Sequence, residues 1–79
     1  MRSLDSLQPG EAGIVQMVSG KGAIRRKLVD MGVTRGTVVR VRRVAPLGDP
    51  LEVLVRGYSL TVRRADARNI FLEGEPSNA

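Results

Sequence analysis

One segment of this chain has helical periodicity, and the segments on both sides of it have the pattern of β-strands. Within residues 21–36, KGAIRRKLVDMGVTRG, the apolar residues Ile24, Leu28 and Met31 recur at i, i+4 and i+7, on one side of a helix. Gly32 follows them at the position where a left-handed residue ends a helix. A helix of roughly nine residues is unstable alone in water, so its apolar side must pack on another surface.

The segments around this helix are predicted to be short strands. Apolar and β-branched residues alternate with polar ones in most of them, and glycine and proline stand between them as turn residues. Tyr58, Leu60 and Val62 are predicted as one inward-facing set, and residues 63–69 as a polar connector with one 3₁₀ turn. Together these segments indicate a mainly β fold, a small closed barrel with one short α-helix after its first strand. The predicted strands are residues 13–18, 37–45, 51–56, 58–62 and 70–72.

The length and composition of the chain indicate a single domain. Its 79 residues leave no room for a second core, so residues 1–73 are predicted as one domain and residues 74–79 as a disordered tail. Leu4 and Leu7 are expected to anchor the N-terminal arm to the barrel. There is no cysteine, no signal peptide and no apolar run as long as a membrane span, so the expected location is the cytoplasm.

The charge of the chain favours an acidic partner. Thirteen Lys and Arg against eight Asp and Glu give a net charge of +5, which suits nucleic acid, an anionic membrane or an acidic protein. Tyr58 and Phe71 are the only aromatic residues, too few to stack on single-stranded nucleic acid or to line a groove for proline-rich peptides. Histidine and cysteine are absent and the carboxylates are scattered, so the protein is not expected to be an enzyme.

Only carboxylates and carbonyls could bind a metal in this chain. Iron(II) sites in proteins usually include imidazole or thiolate ligands, which this sequence lacks. Asp30, Asp49, Glu52 and Asp66 are the possible donors, and each is equally of the type that caps a helix, closes a turn or carries a surface charge. The sequence therefore predicts no tight metal site and no cofactor.

Two clusters of basic residues have three interpretations. They form an ordinary solvated surface, a docking face for an acidic protein, or a surface for nucleic acid. Val29 lies about 100° from the apolar side of the helix, where it is either covered by the N-terminal arm or exposed as part of an interface. Arg26 and Asp30, four residues apart, are expected to pair weakly. The clusters are Arg25, Arg26 and Lys27 on the helix and Arg40, Arg42 and Arg43 on the long strand.

The order and spacing of these motifs resemble FeoA, the small cytosolic component of bacterial ferrous iron uptake. The resemblance is carried by LVDMG at residues 28–32, by APLGDP at residues 45–50 and by Gly57-Tyr58 before Leu60, and it extends over residues 4–72. The opening LDSLQPGEAGIV fits the family as well. Arg35 departs from the pattern, because many members have proline before the glycine.

The resemblance implies an SH3-like barrel of about five strands with the helix inserted after the first strand. It implies a partner, the cytosolic GTPase-bearing part of the membrane transporter FeoB, whose transport this protein would modulate, with Fe²⁺ as the transported ion. The same module occurs in metal-dependent repressors, so a nucleic-acid-associated or repressor-derived interaction module is the alternative function. A monomer or a weak homodimer is expected, since an exposed barrel edge permits pairing. With FeoB as the partner, the candidate binding residues are Arg25, Arg26, Val29, Asp30, Gly32, Arg35, Leu47, Gly48 and Asp49.

Overall fold

Six antiparallel strands and two helices make up the computed structural model, which describes residues 1–74. The strands lie in one sheet in the order β1-β6-β2-β3-β4-β5, and a 3₁₀ turn at Leu4–Ser6 follows β1. The elements are β1 (Arg2–Ser3), β2 (Ala12–Val18), α1 (Gly22–Asp30), β3 (Val38–Val44), β4 (Leu51–Val55), β5 (Tyr58–Val62), α2 (Arg64–Ala67) and β6 (Ile70–Glu73).

The predicted mainly β fold is confirmed, and the five predicted strands correspond to β2 through β6. The barrel is not closed as predicted, because within residues 1–74 β1 and β5 lie at opposite ends of the strand order and do not pair. Strand β1 was not predicted, because two residues are too few to show alternation. It pairs Arg2 with Leu72 and Ser3 with Phe71. The polar connector contains one short α-helix, α2, where a 3₁₀ turn was predicted. Of the predicted tail, only Gly74 falls within the described residues.

The core is centred on inward-facing valines of neighbouring strands. Val39 pairs with Val55 and Val41 with Val53, and all four are buried. Burying a valine side chain contributes about 1.5–3 kcal/mol, so this central pair of strands supplies much of the driving force. Both leucines of the N-terminal arm and the inward residues of β2 and β6 complete the core, as expected for Leu4 and Leu7.

Helix α1 is attached to this core mainly through one side chain. Leu28 is buried and Met31 is half-buried against the core, whereas Ile24, which was predicted to share their packed side, is 39% exposed. The helix is nine residues long, and its one buried residue, Leu28, lies near its C-terminal end. The prediction of a packed Ile24 is therefore wrong.

A Schellman motif ends α1 at the predicted glycine. Gly32 has a φ of 95°, and its N–H donates to the carbonyl of Val29 at 2.9 Å, while the N–H of Val33 donates to that of Leu28 at 3.0 Å. Leu28 and Val33, which make the hydrophobic contact typical of this motif, are both buried. The cap thus fixes the exit of the chain from the helix and helps to hold Leu28 in place.

A two-residue turn joins β4 to β5. Arg56 and Gly57 have φ values of 52° and 84°, the left-handed pair of a type I′ hairpin turn. Tyr58 directly follows this turn, at the closed end of the hairpin, and is 73% exposed, so its predicted inward packing is wrong. Leu60 is half-buried and Val62 is buried, as their alternation predicts.

Arg64 links three segments that are distant in the sequence. Its Nε donates to the carbonyl of Gly48 at 2.6 Å and its Nη1 to the carbonyl of Asp5 at 2.8 Å. Its backbone N–H donates to Oδ1 of Asp49 at 2.9 Å, which satisfies the first N–H of α2. The arginine therefore holds the 46–50 loop, α2 and the 3₁₀ turn together.

A carboxylate stabilises the turn that leads into β2. The N–H of Gln8 donates to Oε1 of Glu11 at 2.7 Å, and Nη1 of Arg2 donates to its Oε2 at 3.2 Å. Both bonds favour the ionised form, the backbone bond more strongly, so the pKa of Glu11 is lowered from its usual value. Within residues 1–74, no helix has the length and apolar character needed to cross a membrane.

Candidate functional site

A groove of about 320 Å³ lies between α1, β2 and the turn that follows the helix. We call it the helix groove. Three elements contribute to its walls: one flank of the helix, the end of β2, and the segment between the helix cap and β3. Its lining residues are Gln16, Met17, Val18, Arg25, Val29, Val33, Thr34 and Arg35.

The floor of the helix groove contains two exposed apolar side chains. Met17 is 47% exposed and Val29 is 41% exposed, so Val29 is not covered by the N-terminal arm. Met17 owes its position to a β-bulge: Val15 pairs with Leu72 and Met17 with Phe71, which leaves Gln16 as an extra residue. A bulge redirects the side chains that follow it, and here it turns Met17 out of the core.

The rim of the helix groove is basic. Arg25 extends from α1 and Arg35 from the turn on the far side of Val29. The lining residues include no Asp or Glu, and the ion pairs formed within residues 1–74 involve neither arginine. An apolar floor between unpaired cations is complementary to an apolar segment that carries carboxylates.

The turn that carries Arg35 has a fixed geometry. The N–H of Thr37 donates to the carbonyl of Thr34 at 3.0 Å, and Gly36 has a φ of 88°, as the third residue of a type II turn requires. Arg35 is then the second residue, a position that suits proline. Arg35 occupies this position without disrupting the turn.

The structure brings three of the predicted partner-binding residues into this groove: Arg25, Val29 and Arg35. Arg26 and Asp30 are exposed on α1 but do not line it. Their expected ion pair is absent from those formed within residues 1–74, so the prediction of that pair is wrong. The predicted Gly32 serves as the helix cap and is half-buried.

The predicted loop residues lie on the other flank of α1. Leu47 is 97% exposed at the tip of a turn closed by the N–H of Gly48 and the carbonyl of Ala45 at 2.7 Å. Asp49 lines a separate cleft of about 440 Å³ between α1 and the end of β5, which we call the β5 cleft. The nine predicted residues therefore do not form one surface: three line the helix groove, Asp49 lines the β5 cleft, and the other five line neither. The β5 cleft is lined by Lys27, Met31, Asp49, Pro50, Thr61, Val62, Arg63 and Asp66.

The four candidate metal donors have other contacts or lie apart. Asp49 accepts the N–H of Arg64, and Glu52 lies 3.8 Å from Nε of Arg42. Asp49 and Asp66 line the β5 cleft together, but within residues 1–74 no three carboxylates are grouped closely enough to hold a metal ion. Asp30 is exposed on α1.

The fold and the groove define a small SH3-like β-barrel with the features of a binding domain. The model of the FeoA domain family matches residues 2–74, and the chain belongs to that family. The fold is similar to FeoA of Chlorobium tepidum, with 42% identity, a TM-score of 0.84 and coverage of 90% of this chain and 68% of that one. It is also similar to Stenotrophomonas maltophilia FeoA, described as an SH3 domain protein complexed with zinc, at 26% identity, a TM-score of 0.81 and coverage of 92% and 91%.

A longer relative contains the same domain. The chain is 34% identical over 76 residues to the Fe(2+) transport protein A/Fe(2+) transporter FeoB fusion protein of Porphyromonas gingivalis. The match covers 96% of this chain but spans only 9% of the fusion protein. The similarity therefore concerns the FeoA part of that protein.

Proposed function

We propose that this protein is a non-enzymatic accessory domain of bacterial ferrous iron uptake. It docks through the helix groove on the cytosolic GTPase-bearing part of a FeoB transporter and modulates transport from the cytoplasmic side. Fe²⁺ is the transported ion in this proposal, and the domain holds no cofactor of its own. The observation that carries the proposal is the groove itself, in which half-exposed Met17 and Val29 lie between the unpaired cations of Arg25 and Arg35.

The fusion protein of Porphyromonas gingivalis supports the choice of partner. In that protein a FeoA part and a FeoB part belong to one chain. A covalent link keeps two domains at high effective concentration, which favours a contact that separate chains must make through a surface of their own. For this chain, the helix groove is the described surface whose apolar area and charge suit such a contact.

The electrostatics of the groove specify what the docking segment must carry. A segment that covers Met17 and Val29 also desolvates part of Arg25 and Arg35, so it needs carboxylates opposite both arginines. Like charges at these positions would cost several kcal/mol across the interface. The docking segment is therefore apolar in its centre and acidic at its ends.

The test is a double charge reversal, Arg25→Glu with Arg35→Glu. Because both side chains are exposed, the free energy of unfolding should change by less than about 1 kcal/mol. Calorimetric affinity for the purified cytosolic part of the cognate FeoB should fall by about 100-fold or more. In a strain that lacks this protein, the variant should fail to restore ferrous iron uptake.

The matched control is Lys21→Glu with Arg26→Glu. These residues are exposed on or beside the same helix and outside the groove, and the reversal changes the net charge equally. The control should bind FeoB almost as wild type. Equal losses in both doubles would show that overall charge, not the groove, determines docking. No complex with FeoB, together with salt-sensitive binding to nucleic acid, would favour the alternative interaction module.

A further inference from the structure

Strand β5 is an unprotected edge of the sheet. It pairs with β4 on one side, and no strand within residues 1–74 lies on its other side. Its five residues, YSLTV, include no charge and no proline, the features with which proteins usually block an edge. Its backbone is therefore free to pair with an added strand.

The turn geometry shows which backbone groups are available. Val55 and Tyr58 flank the two-residue turn and form a hydrogen-bonded pair, so hydrogen-bonded and non-hydrogen-bonded pairs alternate from there. Ser59 and Thr61 belong to the non-hydrogen-bonded pairs with β4. Their N–H and C=O groups consequently point away from β4, towards the open edge.

Helix α1 lies beside this edge and makes it one wall of a cleft. The β5 cleft, of about 440 Å³, has Met31 and Lys27 on the helix side and Thr61 and Val62 on the strand side. At the other end of β5, the end of the helix lies close to the turn between β4 and β5. A Cβ atom built on Gly32, which caps the helix, would lie 3.7 Å from Cδ of Arg56. An edge strand that faces a helix across a cleft is a geometry used to bind extended peptides by strand addition.

The two faces of the strand would select different side chains. On the inner face, half-buried Leu60 and exposed Tyr58 offer apolar surface to an added strand. Beyond Leu60, the cleft is lined by two cations, Lys27 and Arg63, as well as by the two carboxylates of Asp49 and Asp66, so its charges balance and favour neither sign. Inward-facing residues of the added strand are therefore apolar, to match the half-buried Leu60 and Met31.

The outer face is basic. Nη1 of Arg42 donates to Oγ of Ser59 at 2.8 Å, so its guanidinium lies across β4 onto β5. Arg43 lines a depression on the same face together with Thr61 and Glu52, the one acid there. Glu52 already pairs with Nε of Arg42 at 3.8 Å, so the two arginines and this acid leave one net positive charge. Carboxylates on an added strand, opposite Ser59 and Thr61, would lie close to the two arginines.

We propose that the edge of β5 is a second interaction surface, which binds an extended segment of a partner protein by antiparallel strand addition. The segment alternates apolar residues, which face Met31 and Leu60, with acidic residues opposite Ser59 and Thr61. This surface lies on the flank of α1 opposite the helix groove and does not depend on which partner occupies that groove.

A second copy of this chain is a poorer occupant. Pairing two β5 strands antiparallel about Leu60 would bring Arg56 of one copy near Arg63 and Arg64 of the other. The segment Tyr58–Val62 also supplies no carboxylate for Arg42 and Arg43. The charges thus oppose self-pairing and favour an acidic segment.

The probe is an acetylated and amidated heptapeptide, TVEVEVT, titrated into the full ¹⁵N-labelled chain. We expect saturable NMR shifts at Ser59, Leu60 and Thr61, and amide hydrogen exchange at Ser59 and Thr61 slowed about tenfold or more at saturation. The charge-reversed peptide TVKVKVT should bind at least about tenfold more weakly. The double variant Arg42→Gln with Arg43→Gln should weaken binding of TVEVEVT and leave the amide spectrum folded.

Backbone pairing is tested by N-methylation of both glutamates of the peptide. This keeps every side chain but removes the N–H groups that would bond to the carbonyls of Ser59 and Thr61, so binding should be lost. Unchanged binding of the methylated peptide, shifts confined to the helix groove, or no saturable shift up to about 2 mM would each overturn the proposal. Protection of Ser59 and Thr61 in the protein alone, rising with its concentration, would identify a second copy as the occupant and refute the acidic segment.

Discussion

Removing the side chain of Leu28 should destabilise the domain more than any other change on α1. Leu28 is the one buried residue of the helix, and it contacts Val33 within the Schellman cap. Truncation to alanine in a packed core costs about 3 kcal/mol, from lost transfer free energy and from the cavity left behind. A domain of 79 residues has a total stability of about 4–12 kcal/mol, so Leu28→Ala should remove a large fraction of it.

Urea denaturation followed by circular dichroism measures this loss. With a slope of about 1 kcal/mol per molar urea, the midpoint should fall by about 2–3 M while the slope stays constant. Ile24→Ala is the matched control, since Ile24 lies on the same predicted stripe but is half-exposed, and it should cost less than about 1 kcal/mol. Equal losses for the two variants would refute the conclusion that Leu28 alone anchors the helix.

Three further outcomes follow from other parts of the structure. Arg35→Pro should raise the free energy of unfolding by about 0.5–1 kcal/mol, because proline suits this turn position; thermal melting checks it, and FeoB binding should weaken as the arginine is lost. Arg64→Ala should cost about 1–3 kcal/mol in urea titration through the lost bonds to Gly48 and Asp5, and an unchanged midpoint would contradict the linking role. Fe²⁺ should bind the purified chain with millimolar or weaker affinity in anaerobic calorimetry, since imidazole and thiolate ligands are absent; a stoichiometric micromolar site would overturn this.

Most of the fold could be predicted because local patterns and tertiary packing agree. The alternation of Val39 with Val41 and of Val53 with Val55 predicts the inward faces that form the core. Gly32 predicts the end of α1 because the Schellman motif requires a residue in the left-handed conformation, which glycine adopts readily. The patterns do not show where the packing surface ends. Ile24 and Tyr58 fit the periodicity of their helix and strand, but they lie beyond the core and are exposed.

The candidate site was predicted only in part, because it depends on contacts between segments distant in sequence. Helical periodicity places Arg25 beside Val29, and both line the helix groove. Met17 was not predicted, since strict alternation puts it on the same face as Val15, and no residue type marks the bulge that turns it outward. The resemblance to the family placed residues of the 46–50 loop and of the helix in one predicted binding site. The sequence could not show on which flank of α1 this loop lies, because that depends on the tertiary fold.

The wall of the helix groove formed by the turn is held more firmly than the wall formed by α1, and under the proposed docking this difference couples stability to binding. On one wall, the N–H of Gly36 donates to the carbonyl of Val15 at 2.7 Å and the N–H of Val15 to that of Thr37 at 2.8 Å, so the turn is bonded to the sheet. The other wall is α1, for which Leu28 supplies the one fully buried side chain. A partner that contacts both walls binds only those molecules in which the helix is packed on the barrel. Its apparent affinity therefore decreases as the fraction of such molecules decreases.

Leu28→Ala should therefore weaken FeoB binding although Leu28 makes no contact with the partner, and excess FeoB should restore the complex by mass action. Reversal of Arg25 and Arg35 removes the contacts themselves, so the same excess should restore far less.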